Sequence, residues 1–185
     1  MKLGFLHKAL ILFFLGLVIL FAFTAPSQKE LNTDRLDFSV LESDALYFRN
    51  LRQYFYTKRT REDANYDLFY LKSNGNDSSQ NAANFTIVSN WLNDMAYIMF
   101  TVDSSRIEPN HLVVSSFSDT FLLDAMNMEE HQYMASRVYA SFVDDACQYF
   151  LVDENQAMLE IWKTREDRKK MKRVLKDYFR LVGAL

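Results

Sequence analysis

Histidine, cysteine and converging carboxylates are the side chains that most often carry catalysis or hold metals, and this chain of 185 residues uses few of them. His7 precedes a long apolar run, which leaves His111 and His131 for the rest of the chain. Asp124, Glu129, Glu130 and His131 crowd together and invite a metal reading. The spacing argues against it. A helical Glu-x-x-His pair sets the two ligands three residues apart on one face, and neither Glu129 nor Glu130 stands at that distance from His131. The cluster reads instead as the acidic first turn of a helix. His-Glu-x-x-His and a cysteine cluster are both missing from the sequence, so no metal ligand is nominated.

Other chemistries fare no better. Asp144 and Asp145 are neighbours, and neighbours on a helix point apart, whereas a glycosidase needs two carboxyls roughly 5–10 Å apart facing one sugar. Gly-x-Ser-x-Gly, a Walker loop and Gly-x-Gly-x-x-Gly are absent, and the chain has only 4 glycines to build one. Cys147 is the only cysteine, which excludes an intrachain disulfide. It sits among Ala146, Tyr149 and Phe150 with no histidine nearby in sequence, and so reads as a buried thiol rather than an activated one; an intermolecular disulfide is the alternative. No catalytic residue, cofactor site or metal site is assigned. A Ser-His-Asp set or a carboxylate pair assembled only in space, using His111 or His131, stays open.

Two stretches suggest binding. Tyr47, Phe48, Tyr54, Phe55, Tyr56, Tyr66, Phe69 and Tyr70 interleave with Arg49, Arg52, Lys58, Arg59 and Arg61. Such a mixture can stack single-stranded nucleic acid. An exported compartment and a net charge of −3 speak against nucleic acid as a partner; sheet packing is the plainer use, and sugar stacking is compatible. At the C-terminal end Arg168, Lys169, Lys172, Arg173, Lys176 and Arg180 surround an apolar helical stripe and form the candidate partner or membrane surface. From Asp119 to Glu160 there are nine acids and one base, and from Lys163 to Arg180 nine bases and three acids. The asymmetry reads either as a binding face or, preferably, as two elements of one fold lying against each other. Asn76-Asp77-Ser78 and Asn84-Phe85-Thr86 match the glycosylation sequon, which matters only in a eukaryotic secretory pathway.

The elements that must position these residues are read from periodicity. Leu46–Thr57 fits a strand by composition, with a helical stripe through Leu41, Ala45, Phe48, Leu51 and Phe55 as the alternative. Lys58–Ala64 reads as a charged turn and Tyr66–Lys72 as the return strand. Ser73–Asn84 is a polar loop. Phe85–Trp91 and Met95–Val102 read as paired strands, and His111–Phe117 as a fifth. A helix is expected from Asn127, with Glu130 completing a capping box and His131, Met134, Ala135, Val138, Tyr139, Phe142 and Ala146 as its core stripe. Tyr149–Val152 and Ala157–Trp162 form a hairpin. Thr164 caps a last helix with Glu166 and Asp167 in its first turn and a stripe of Met171, Val174, Leu175, Tyr178, Phe179 and Val182; Gly183 ends it.

The expected fold class is α+β: a single domain with an antiparallel sheet built from hairpins, one long central helix and a C-terminal amphipathic helix, preceded by an N-terminal hydrophobic signal or anchor helix. Residues 1–25 carry Lys2 and Lys8 ahead of an uncharged run from Ala9 to Ala25. This pattern fits both a cleaved signal peptide and a transmembrane signal-anchor, and places the remainder on the non-cytoplasmic side. Residues 26–45 read as a polar tether with a helical turn around Leu36–Leu41, and 46–185 as the extracytoplasmic domain. With 49% hydrophobic and 15% aromatic residues the chain can build a core. The expected function is a non-catalytic, membrane-associated domain that binds a protein partner or an envelope component. The alternative is a hydrolase-like enzyme with a carboxylate- or His-based site assembled only in three dimensions.

Overall fold

The computed structural model describes residues 13–14, 31–32, 37–72, 82–115 and 118–185. The chain divides into two units, Met1–Glu30 and Leu31–Leu185, and every element named below lies in the second. The signal or anchor expected at 1–25 falls outside the described residues apart from Phe13 and Phe14, which are helical. Among the described residues no helix is long and apolar enough to cross a membrane. The polar loop from Ser73, including Asn76, falls outside them as far as 81.

Among the described residues of the second unit the fold is α+β with two four-stranded antiparallel sheets and three α-helices. The first sheet is a meander of β1 (Tyr56–Arg61), β2 (Tyr66–Leu71), β3 (Ala83–Asn90) and β4 (Met95–Val102). The β3–β4 turn is held by the Asn90 side chain, whose Oδ1 accepts from the backbone N–H of Leu92 at 3.0 Å and of Asn93 at 3.3 Å; asparagine closes turns in this way. The second sheet has the order β6–β5–β7–β8, from β5 (Pro109–Val114), β6 (Asp119–Leu122), β7 (Tyr149–Asp153) and β8 (Met158–Ile161). One sheet was expected, and two are found. The division lies at β5, which pairs with β7 and β6 instead of continuing the meander from β4; β6, a four-residue strand too short for periodicity to reveal, pairs Phe121 with Leu112 and gives β5 a neighbour on each side.

Helix α1 (Glu42–Tyr47) continues through a π turn (Phe48–Arg52) and a 3-10 turn (Gln53–Phe55) into β1. This corrects the strand expected at Leu46–Thr57. The helical alternative is also only partly right, because the wide π turn breaks the 3.6-residue period: Phe48 is buried against Tyr56 and Phe69, whereas Leu41, Leu51 and Phe55 are exposed. The charged turn expected at Lys58–Ala64 is strand as far as Arg61, which pairs with Tyr66. Side chains hold it there: Lys58 pairs with Asp67 at 2.7 Å, and the Thr60 hydroxyl donates to the same carboxylate at 2.8 Å. No helical turn forms at 37–41; instead Ser39 bridges Met95, and Val40 packs against the core.

Helix α2 (Met128–Ser141) begins at the expected capping box: Glu130 N–H donates to Asn127 Oδ1 and Asn127 N–H donates to the Glu130 carboxylate. It ends at Ser141, so Ala146, expected on its stripe, is an exposed turn residue. The stop is local. The Ser141 hydroxyl donates to the Val138 carbonyl and lies 2.8 Å from the Tyr149 hydroxyl, and Asp144 Oδ1 accepts from Ala146 N–H to close the following turn. Helix α3 (Arg165–Leu181) is capped by Thr164, and Gly183 at φ +68° ends it, a conformation glycine adopts without strain. All six residues of its expected stripe are buried. They pack on β3, β4 and α2.

Trp162 joins the two sheets. It follows β8 with a left-handed backbone, φ +48°, and is 1% exposed. Its indole N–H donates to the Ala83 carbonyl of β3 at 2.9 Å. Its ring packs on Phe85 and Phe100 of the first sheet, Tyr149 of the second and Phe142 after α2.

Candidate functional site

His111, His131 and Cys147 each make an ordinary structural contact. His111 lies on β5 with Nδ1 2.8 Å from the Asn110 side-chain oxygen. His131, in the first turns of α2, accepts the Phe100 backbone N–H at Nδ1, 3.4 Å away. Its pKa lies below the ordinary histidine value because burial penalises the cation, against the opposing field of Glu130. Cys147 is fully buried, with Sγ directed to the Gln148 carbonyl. Among the described residues no group of three or more histidine, cysteine or acidic side chains could hold a metal ion. Asn84, the described sequon, lies exposed on β3 rather than in a loop.

A cleft of about 330 Å³ opens beside Trp162, lined by Ala82, Arg106, Leu159, Lys163, Thr164 and Asp167 among others. It adjoins the start of α3, where a helix favours an anion. The chain itself supplies that anion: Asp167 accepts the Thr164 hydroxyl at 2.7 Å and returns its backbone N–H to the same oxygen at 3.1 Å.

The six basic residues singled out on the last helix have three different environments. Arg168 is half-buried and donates to the carbonyls of Trp162, Lys163 and Asp145. Lys172 reaches the Phe142 carbonyl at 3.4 Å, past the end of α2. Helices α2 and α3 do touch, but these contacts engage carbonyl oxygens rather than the carboxylates of the acidic stretch, where Asp119 is paired with Arg137 at 2.9 Å. Arg173 and Arg180 lie over aromatic rings: Arg173 is 5.3 Å from the centroid of Phe55, and Arg180 is 3.5 Å from that of Tyr47. Lys169 and Lys176 are exposed.

Those rings belong to the segment 47–55, so α3 and the α1–β1 connection form one surface. Its anchor is Asp177, 5% exposed. Arg52 grips this carboxylate with two parallel hydrogen bonds, Nε to Oδ1 at 2.8 Å and NH2 to Oδ2 at 2.9 Å, and the Tyr56 hydroxyl donates to Oδ2 at 2.8 Å. Such a fork fixes orientation as well as charge. Burial and the adjacent carboxylate push the Tyr56 phenol far above its ordinary pKa, so it stays a donor. Arg52 also lies over the Phe55 ring at 5.0 Å, so that two guanidiniums contact Phe55. Residues 173, 177 and 180 follow the spacing of one helix face; Arg52 and Tyr56 were read from sequence as part of a sheet hairpin, and only the fold brings them to that face. The chemistry available is a cationic, aromatic and partly apolar surface. No family model, curated protein or solved structure matches the chain.

Proposed function

We propose that the domain is a non-catalytic, membrane-associated binding module on the non-cytoplasmic side of a membrane, which uses the face formed by α3 and residues 47–55 to hold a protein partner or an envelope component. The observation that carries this reading is the fixed ladder of cations and rings. Asp177 is satisfied from within by Arg52 and Tyr56, so the carboxylate does not cancel the outward field of Lys169, Lys172, Arg173, Lys176 and Arg180. A rigid surface binds at lower entropic cost than a mobile one. The apolar run at 9–25 supports the membrane association.

The test is recovery of the full-length protein from its native membrane, in parallel with a Lys169→Gln, Lys172→Gln, Lys176→Gln variant. A component that accompanies the parent chain and is lost from the variant is the expected result. Identical recovery of the two chains, each alone, would overturn the reading.

A further inference from the structure

We infer that the surface of α3 and residues 47–55 seats on anionic phospholipid headgroups, with its cations on the lipid phosphates and Leu51, Tyr54 and Phe55 in the interfacial layer; this inference rests on the binding-module reading above. Three observations favour a lipid surface. The first is exposure: Leu51 is 58%, Tyr54 73% and Phe55 43% exposed, within five residues of one another. Scattered exposed apolar side chains are ordinary, but a cluster of them next to a cationic helix is the composition of an interfacial element, in which rings and leucines enter the headgroup region and lysines and arginines face phosphate. The second is charge. Arg49, Lys169, Lys172, Arg173, Lys176 and Arg180 are all exposed, and the acid between them on α3, Asp177, is buried and paired. The third is residue type. Lysine is depleted from the cores of protein–protein interfaces, yet Lys169, Lys172 and Lys176 run along this face, where a fluid array of phosphates can meet each of them without a fixed geometry.

Chain length brings the surface within reach. Leu31 already packs against the core of the domain, so with the apolar run in the bilayer only residues 26–30 separate the two, a span of at most about 20 Å that would confine the domain close to the headgroups. That confinement compensates for the modest strength of each contact, about fivefold in the bound-to-unbound ratio per cation near an anionic surface.

The full-length protein carrying Tyr54→Trp and Trp91→Phe, reconstituted into vesicles with brominated acyl chains, provides the test. Trp162 is buried and supplies a constant background. Strong quenching of the new indole is expected in vesicles of phosphatidylcholine with phosphatidylglycerol, and little in phosphatidylcholine alone. Adding Lys169→Gln, Lys172→Gln and Lys176→Gln should reduce the seated population on the order of a hundredfold, with an unchanged circular dichroism spectrum and melting temperature showing that the fold is retained. Equal quenching in both bilayers, or in neither, overturns the lipid assignment. If quenching fails while the native-membrane recovery still distinguishes the parent from its lysine variant, the partner is a protein and the broader reading stands. If both fail, the broader reading falls with it.

Discussion

At the scale of single residues, Asp177 is the side chain on which the proposed face depends. Its carboxylate is buried with two donating residues, and removing its charge leaves the part-buried Arg52 without its counterion. Asp177→Asn is expected to destabilise the protein by about 3 kcal/mol, and Tyr56→Phe, which loses a single hydrogen bond, by about 1 kcal/mol. Denaturant unfolding measures both; an Asp177→Asn protein as stable as the parent would mean that the fork contributes nothing. His131 makes a second expectation at this scale. Its folded pKa lies below the ordinary value of 6.5 because burial penalises the cation, so below pH 6.5 the unfolded chain takes up a proton that the folded chain resists. Stability contributed by this residue is therefore complete above that pH and declines as pH falls through it. His131→Gln should flatten the decline in melting temperature between pH 7 and 5; an unchanged slope would contradict the role given to burial.

At the scale of elements, the helices differ in how far local sequence determines them. Helix α2 starts where Asn127 and Glu130 cap each other, and Asn127→Ala should cost about 1 kcal/mol, measured by thermal melting, with no loss if the box is not formed in solution. That box, the Thr164 cap and the stripe of α3 were legible because each is set by residues a few positions apart. The connection at 42–55 was not. Its aromatic content fits a strand, and its register is decided by partners far along the chain: Phe48 is drawn in by Phe69, and Arg52 by Asp177, which is 125 residues away. The short β6 escaped for a related reason, since a four-residue strand carries almost no period and exists through its pairing with β5. Of the candidate surface, Lys169, Lys172, Arg173, Lys176 and Arg180 were readable as a group, and Arg168, read with them, is instead turned onto backbone carbonyls. The segment 47–55 that completes the surface was not readable, because no local signal reports that Phe55 and Tyr47 lie beneath Arg173 and Arg180.

At the scale of the whole molecule, Trp162 links the two sheets through one hydrogen bond and four ring contacts. Trp162→Ala should cost about 4 kcal/mol and broaden unfolding as the sheets lose their shared core, which calorimetry would show; a sharp transition at the parent temperature would contradict the joint. The two sheets and α2 are packed together behind α3, whose exposed side with residues 47–55 is the face we propose for binding, and on that proposal the leading apolar run would hold it near a membrane. Site-specific photo-crosslinking in native membranes tests this most directly, with the photoreactive residue placed at Tyr54 or, as a control, at Glu154 in the β7–β8 turn. Adducts to lipid or to a discrete partner from Tyr54, lost with Lys169→Gln, Lys172→Gln and Lys176→Gln, are the expected result. Adducts from Glu154 with none from Tyr54 would contradict the assignment of the binding face.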